Sequence, residues 1–322
     1  MYQIIVNPAS KSGRGQKIWD RIEPVLKAEK VSYQVFFSAG TGHVIQHVKE
    51  LMEDLQANHW ESIRFIVLGG DGTLNETLQG ITDFDKVYLG YIPTGSSNDM
   101  ARDLNLPKDP VLILRSILTG GLKRTVDIGC LTYENYFDAK NTSLENLNRK
   151  RYFAVSCGIG FDAAVCEEAM DSSLKDFLNK IKLGKLTYLF IALKQILTAK
   201  KVSCDFYLED GKAIRIHKLL FLAVMIHKYE GGGFKFCPDA VDHDGILDIC
   251  AAGDISKPKI LCALPTAFKG KHFMFAGIDS YRCKEIRIQT SSPLWVHTDG
   301  EVNAKSSHII ITCNQQKLQL LI

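Results

Sequence analysis

The sequence predicts a doubly wound α/β domain followed by a second domain that is a mainly antiparallel β-sandwich. The chain has 322 residues, which is long for one hydrophobic core and comfortable for two. Up to Asp127, short apolar runs alternate with helical stretches, as in a parallel sheet with helices on both faces. Strand-like segments dominate after Asp127. We therefore expect residues 1–127, joined by the C-terminal segment 315–322, to form the first domain, and residues 128–314 the second.

The first domain is predicted to contain four strands with helices between them. The strands are the apolar runs Tyr2–Val6, Val31–Phe37, Ile63–Leu68 and Val87–Ile92. Ile63–Leu68 is continuously apolar, as expected for a strand that is buried on both faces. Apolar residues recur at helical spacing around Trp19, where Pro24 is predicted to kink or restart the helix. Asp109-Pro110 is typical of a helix start.

The second domain is predicted to be rich in strands. The strand-like segments are Arg151–Cys157, Val202–Leu208, Ala213–His227, Ile246–Ala251, Glu285–Thr290, Leu294–Thr298 and His308–Thr312. Helices are expected near Phe161–Ala169, Leu183–Leu197 and Ser256–Phe268. Because most of these strands follow one another without a crossover helix, the sheet is expected to be largely antiparallel.

Composition excludes several classes of protein. The nine cysteines contain no Cys-x-x-Cys pair, which argues against a zinc site or a disulfide framework and favours reduced thiols. A net charge of +3 is too small to indicate a nucleic-acid partner. The longest apolar run, Leu186–Leu193, is too short to span a bilayer, and the N-terminus lacks a signal-peptide pattern. We expect a cytoplasmic protein.

Two basic segments suggest contact with a membrane surface. Seven lysines and one acidic residue lie between Ser172 and Lys201, and a second group is formed by Lys257, Lys259, Lys269, Lys271 and His272. Solvated surface is one interpretation of such segments. The other is a face that meets anionic lipid headgroups, with the apolar helix around Leu186–Leu197 flanking a lipid chain. Any membrane contact is therefore expected to be transient and peripheral.

Three loops follow predicted strands and share a composition of glycines, hydroxyls and amides. They are Asn7–Gly13, Gly69–Thr73 and Gly95–Asn98. Ligands of open α/β sheets bind beyond the carboxyl ends of the strands, where glycines let backbone N–H groups face phosphate oxygens. A single loop of this kind could merely close a strand–helix link. Three together predict a site that handles phosphate.

Asp71 is the unexpected member of this group. A carboxylate repels phosphate unless a metal ion or a proton lies between them. Its presence inside a phosphate loop therefore predicts a catalytic role or a role linked to Mg²⁺.

Two of the loops resemble a known family. Residues 69–76 read Gly-Gly-Asp-Gly-Thr-Leu-Asn-Glu, and residues 95–102 read Gly-Ser-Ser-Asn-Asp-Met-Ala-Arg. Together they resemble the diacylglycerol kinase catalytic family, and more narrowly the bacterial soluble lipid kinases of the DgkB/YegS/BmrU type. The match continues in order through Asp127–Gly129, Gly158–Ala163, Gly231–Gly233, Pro238–Ala240, Asp244–Asp248 and Asp299–Glu301. The resemblance implies a Rossmann-like first domain and a second domain like that of NAD kinases.

The resemblance also implies which residues hold ATP. The ATP-binding residues are expected to be Asn7, Pro8, Ala9, Ser10, Lys11, Ser38, Gly69, Gly70, Asp71, Gly72, Thr73, Leu74, Asn75, Glu76, Gly95, Ser96 and Asn98. Ser38 and Ser96 stand where the family usually has threonine, so both positions keep a hydroxyl.

Catalysis is expected to combine Glu301 and Asp71. The resemblance makes Glu301 the general base that accepts the proton of a lipid hydroxyl, while Asp71 organises Mg²⁺ and the reacting groups. The reverse assignment, with Asp71 as the base, stays open. A structural Mg²⁺ is implied at Asp244, with the carbonyl groups of Val241 and Ile246. His243 replaces the acidic residue that commonly precedes this aspartate, which weakens that metal site.

The acceptor is expected to be a lipid, with diacylglycerol as the leading candidate. Sphingoid or ceramide-like lipids, monoacylglycerol and phosphatidylglycerol are the alternatives. NAD kinases share Gly-Gly-Asp-Gly-Thr but lack the 95–102 element and the Asp-Gly-Glu triplet. A nucleotide-binding regulator without activity would not need both Asp71 and Glu301. Family members often form homodimers, so a homodimer is possible.

Overall fold

The computed structural model describes residues 1–120, 123–145, 148–171, 191, 194–196, 198 and 202–322. Most of the basic segment Ser172–Lys201 and of the apolar helix around Leu186–Leu197 lies outside the described residues, so these two predictions stay open. In the part that is described, no helix is both long and apolar enough to cross a membrane.

The first half of the chain alternates strands and helices as predicted. The elements are β1 (Tyr2–Val6), α1 (Ser10–Ala28), β2 (Tyr33–Phe37), α2 (His43–Ala57), β3 (Ile63–Gly69), α3 (Asp71–Gly80), β4 (Val87–Pro93), α4 (Asp99–Asp103), α5 (Pro110–Leu118) and β5 (Lys123–Tyr133). β2, β1, β3 and β4 are parallel neighbours in that order. Ile4 and Val6 pack on the side of α1 and α5, whereas Ile5 packs on the side of α2 and α3. The doubly wound fold is therefore confirmed.

The second half is mainly antiparallel. Its elements are β6 (Lys150–Phe153), β7 (Ser156–Gly160), α6 (Phe161–Asp171), β8 (Val202–Leu208), β9 (Ala213–Met225), β10 (Leu247–Gly253), α7 (Lys257–Ala267), β11 (Ile278–Cys283), β12 (Glu285–Thr298) and β13 (Glu301–Leu321). The strand pairs among β7 to β12 are antiparallel, with the order β11-β10-β9-β7-β12 and β8 beside β9 and β12. The prediction of a mainly antiparallel second domain is therefore confirmed.

Some predicted boundaries were wrong. Pro24 lies inside α1 and does not restart it, because apolar side chains on both sides of the proline are held in one core. The non-helical backbone of α1 lies at residues 11–13 instead. The strand predicted at Arg151–Cys157 is divided into β6 and β7, because the N–H groups of Ala154 and Val155 bond a side chain rather than a neighbouring strand.

β13 joins the two halves of the molecule. Its first part pairs with β12, and its last residues, Gln319–Leu321, lie parallel to β4 and antiparallel to β5. The strand predicted at His308–Thr312 is thus the middle of a 21-residue strand. The pairing of Gln319–Leu321 agrees with the expectation that the C-terminal segment joins the first domain, although the domain limits themselves stay a prediction.

Candidate active site

The three predicted phosphate loops meet at one edge of the parallel sheet. They follow β1, β3 and β4, whose carboxyl ends lie side by side. The Asn7 amide donates to Thr73 Oγ1 at 3.0 Å, and the Ser10 and Thr94 hydroxyls are 2.6 Å apart. The backbone N–H of Thr94 donates to the Gly69 carbonyl at 2.8 Å. The loops therefore form one surface.

Two glycines allow the second and third loops to touch. A Cβ atom on Gly95 would lie 2.7 Å from the Cα of Gly70, and one on Gly70 would lie 3.1 Å from the Cα of Gly95. Any side chain at either position would separate the loops. Glycine is thus required here for the close approach of two backbones, which also leaves their N–H groups uncovered by side chains.

The first loop contains three successive residues with left-handed backbone. Lys11, Ser12 and Gly13 have successive φ values of 43°, 57° and 87°. Such positive φ values are uncommon for residues other than glycine and are often found at functional sites. Successive N–H groups in turns of this kind can converge on one anion. This supports the predicted contact of Lys11 and its neighbours with phosphate.

Asp71 and Asp99 form a buried acidic pair beside these loops. Asp71 Oδ2 accepts the N–H of Asn98 at 2.8 Å, and Asp99 Oδ2 accepts that of Gly232 at 3.0 Å. Burial, and next the charge of Asp99, raises the pKa of Asp71 to about 7. Burial raises the pKa of Asp99 to about 6.

The pair suits a divalent cation. Among the described residues, Oδ1 of Asp71 and Oδ1 of Asp99 are buried and have no hydrogen-bond partner. Arg102 approaches Asp99 Oδ1 only to 3.8 Å. Buried carboxylate oxygens without a donor are costly, and hard oxygen ligands are those that Mg²⁺ prefers. The residues present therefore fit Mg²⁺ beside the phosphate loops.

Glu301 reaches the same place from the second domain. Thr298 and Glu301 pair across a two-residue turn, in which Asp299 and Gly300 have φ values of 51° and 85°. Positive φ at both central residues is typical of a tight hairpin with an Asp-Gly turn. A Cβ atom on Gly72 would lie 2.5 Å from Glu301 Oε1, so the carboxylate lies against the first turn of α3, one residue from Asp71.

Asp299 fastens this hairpin to the first domain. Its carboxylate accepts the backbone N–H groups of Ala154, Val155 and Ser156 at 2.8–3.0 Å. It also accepts the side-chain amide of Asn75 at 2.9 Å. Asn75 is fully buried and accepts a hydrogen bond from Arg151 at 3.1 Å. We call Asp299, Asn75 and Arg151 the interdomain clamp, because it fixes Glu301 relative to α3.

The structure separates some predicted ATP-binding residues from the loop surface. The Asn75 side chain belongs to the interdomain clamp, and that of Leu74 is in the hydrophobic core. Glu76 accepts the N–H groups of Gly42 and Val44 and so caps α2. Ser38, in contrast, follows β2 and donates its N–H to the Val6 carbonyl, which places it beside the loop that follows β1.

A second acidic group lies beyond the hairpin. Asp162 Oδ2 and Glu230 Oε1 lie 3.4 and 3.2 Å from Nε2 of His297, which is fully buried. The Gly300 N–H donates to His297 Nδ1 at 3.1 Å, so the neutral ring carries its hydrogen on Nε2. If Nε2 bound a metal ion, the ring hydrogen would have to lie on Nδ1. It would then face the Gly300 N–H, and two donors would point at each other. The group is thus suited to accept hydrogen bonds rather than to bind a metal through histidine.

At the predicted structural Mg²⁺ site, Asp244 is paired with an arginine. The carboxylate of Asp244 is bound by Arg282 Nη2 at 2.6 Å through Oδ2 and by the Ile246 N–H at 3.1 Å through Oδ1. His243 Nδ1 faces Asp242 at 2.7 Å. Each oxygen of Asp244 thus already has a donor, and the carboxylate is not left open for a Mg²⁺ ion.

Two family profiles match the chain. The diacylglycerol kinase catalytic domain matches residues 1–131, and the YegS C-terminal NAD kinase beta sandwich-like domain matches residues 155–322. The second match alone covers more than half of the chain. The chain therefore belongs to this diacylglycerol kinase-like family and is an enzyme of the lipid kinase class. The family resemblance seen in its motifs is confirmed.

Individual relatives extend over nearly the whole length. The chain is 28% identical over 301 residues to a Bacillus subtilis protein with the provisional name lipid kinase YtlR, with 92% of each covered. It is 27% identical to the diacylglycerol kinase of Mycobacterium tuberculosis H37Rv, covering 92% of this chain and 87% of that one. A solved diacylglycerol kinase structure from Bacillus anthracis str. Sterne has a TM-score of 0.71 at 22% identity, covering 99% and 96% of the two chains. That structure supports the fold.

Several site residues were missed by the sequence analysis. Asp99 and Asp162 stand inside motifs that were recognised, so their carboxylates could have been suspected there. Asp299 belongs to the Asp-Gly-Glu triplet, but its partner Asn75 is 224 positions away. Glu230 and His297 have no local signal.

Proposed function

We propose that the chain transfers the γ-phosphate of ATP to a lipid hydroxyl, with diacylglycerol as the leading acceptor. The observation that carries this proposal is the position of Glu301, held against Gly72 by a hairpin from the other domain. Asp71 is one residue away, at the edge of the loops. This arrangement supports a reaction in which Asp71 and Glu301 act on the same phosphate and acceptor.

The loops that follow β1, β3 and β4 would hold the phosphates of ATP through backbone N–H groups and hydroxyls. Asp71 and Asp99 would hold Mg²⁺, and the ion would neutralise negative charge on the phosphoryl group that is transferred. Asp71 Oδ2 is fixed by the Asn98 N–H, so the carboxylate keeps its orientation.

Glu301 would act as the general base. Glu301 is partly exposed, whereas Oδ1 of Asp71 is buried and its Oδ2 already accepts the Asn98 N–H. The hydroxyl oxygen attacks phosphorus as its proton passes to the Glu301 carboxylate, and the bond from phosphorus to the bridging oxygen of ADP breaks.

The group formed by Asp162, Glu230 and His297 favours a phosphate acceptor that carries hydrogen-bond donors. Glu230 Oε2 is buried and has no hydrogen-bond partner among the described residues, whereas Asp162 Oδ2 and Glu230 Oε1 face Nε2 of His297. The backbone of Gly300 connects His297 to Glu301. Hydroxyl groups could donate to these oxygens, whereas an anionic headgroup would be repelled. Neutral acceptors such as diacylglycerol and monoacylglycerol are thus favoured over phosphatidylglycerol.

Contact with the membrane is proposed at a basic and apolar patch. We define the lipid-facing patch as Phe268, Lys269, Lys271 and Met274, where Phe268 and Met274 are 51% and 75% exposed. Between Asp254 and Asp279 the chain has four lysines and no acidic residue. Phe268 lies beside Gly233, next to Arg102 at the end of α4, so the patch borders the proposed site. Exposed apolar groups among lysines suit an anionic membrane surface.

A phosphorylation assay tests the proposal. The protein is incubated with labelled ATP, Mg²⁺ and one acceptor at a time: diacylglycerol, monoacylglycerol, a sphingoid base, ceramide, phosphatidylglycerol or NAD. We expect a phosphorylated lipid, with diacylglycerol giving the highest kcat/KM. Glu301→Gln should lower kcat by about 100-fold or more and leave the KM for ATP near its original value. Asp279→Asn, on the exposed side of β11, is the matched control. Formation of NADP at ordinary rates, with no lipid product, would overturn the proposal.

A further inference from the structure

Arg282 bridges two carboxylates at the junction between the domains. Its Nη2 is 2.6 Å from Asp244 Oδ2, and its Nε is 3.0 Å from Asp248 Oδ1. Arg282 and Asp248 are directly opposite each other in the antiparallel pair of β10 and β11. The sheet register therefore fixes the guanidinium, and the Asp248 side chain is only 6% exposed.

The loop that contains Asp244 ties several segments together. The Gly245 N–H donates to Asp127 Oδ2 at 2.7 Å, and the Gln316 N–H donates to Asp127 Oδ1 at 2.6 Å. Gly245 has a φ of 77°, and a Cβ atom there would lie 2.8 Å from the Gln315 side chain. The conformation of this loop thus determines how the C-terminal part of β13 meets the first domain.

We propose that Arg282 takes the place of a structural metal ion at Asp244, so that the domain junction of this chain is held without Mg²⁺. A guanidinium is permanently charged and binds carboxylates with a planar fork of donors. Mg²⁺ would need oxygen ligands at about 2.1 Å in octahedral geometry. At Asp244 it would have to displace Arg282 from Oδ2 or compete with the Ile246 N–H for Oδ1. Two neighbouring cations would also repel each other. This inference does not depend on the lipid kinase activity.

Thermal unfolding of the nucleotide-free protein tests the proposal. In millimolar Mg²⁺ and in EDTA, the wild type and Asp244→Asn are expected to show the same Mg²⁺-dependent change in Tm, because any such change arises at Asp71 and Asp99. A Tm that falls in EDTA for the wild type, but not for Asp244→Asn, would overturn the proposal.

The reciprocal variant gives a positive signal. Arg282→Ala frees both carboxylates, so its Tm should be lower than that of the wild type. On adding Mg²⁺, its Tm should rise by about 2 °C or more beyond the rise seen in the wild type. Arg282→Ala/Asp244→Asn should lose this extra response. If Arg282→Ala does not fold, Arg282→Gln serves instead, since it keeps part of the side chain. No added response to Mg²⁺ in the folded single variant would show that Arg282 does not fill a metal position.

Discussion

Asp71 lies buried among negative charges, with Asp99 and Asp299 near it. Its amino-acid neighbours in the sequence give no sign of this, because Asp99 and Asp299 approach it only through the fold. The raised pKa means that a carboxylate there is stable only with a proton or a cation. Its effect on stability should therefore depend on pH and on Mg²⁺.

Removing the charge at position 71 should stabilise the metal-free protein at high pH. The pKa of Asp71 is raised from 3.8 to about 7, so the folded state holds a proton that the unfolded state has lost. Its contribution to stability is complete below about pH 4 and is lost as pH rises through about 7. Asp71→Asn should thus raise the unfolding free energy in EDTA by up to about 4 kcal/mol at pH 8, and by less than half as much at pH 5. Its Tm should rise correspondingly more at pH 8 than at pH 5. Equal gains at both pH values would contradict this assignment.

At the scale of elements, the touching loops depend on two glycines. Gly95→Ala places a Cβ atom 2.7 Å from the Cα of Gly70, which is a backbone atom and has to shift. We expect the KM for ATP to rise by about 10-fold or more, because displaced N–H groups no longer fit phosphate. Gly40→Ala is the control, since its Cβ atom would meet nothing within 4 Å. Equal effects of the two variants would show that the contact between the loops is unimportant.

The interdomain clamp predicts a joint loss of stability and activity. Asp299→Ala leaves three backbone N–H groups and the Asn75 amide without their acceptor, at a cost of about 1–3 kcal/mol for each one that stays buried. Chemical denaturation should show a loss of about 3 kcal/mol or more, and kcat should fall because Glu301 is no longer fixed. Asp210→Ala removes a single exposed acceptor and should cost under about 1 kcal/mol. A stable Asp299→Ala enzyme with normal kcat would remove the positioning role.

Much of the element order could be predicted from sequence, because local patterns determine it. Apolar runs and glycine loops alternate along the first domain, and this alternation predicted its strands and helices. Contacts between distant residues could not be predicted. The split at Ala154 depends on Asp299, and the cation at Asp244 depends on the register between β10 and β11, neither of which has a signature in its own segment.

For the whole molecule, the lipid-facing patch predicts how the enzyme meets a membrane. Lys269→Glu/Lys271→Glu should weaken cosedimentation with vesicles containing an anionic phospholipid by about 10-fold or more, since each lysine near such a surface contributes about 1 kcal/mol. Raising the salt concentration should reduce the difference. Lys212→Glu/Lys284→Glu, at the turns after β8 and β11, changes the charge equally and is the control. If the two double variants bind alike, the patch is not the membrane-facing surface.

The long course of β13 has a mechanical consequence. Its backbone is hydrogen-bonded to β12 near one end and to β4 and β5 near the other. A rigid-body rotation of one domain away from the other would break the hydrogen bonds between β13 and these strands. We therefore expect ATP to enter and ADP to leave by local movement of the loops after β1 and β4, while the angle between the domains changes little through the catalytic cycle.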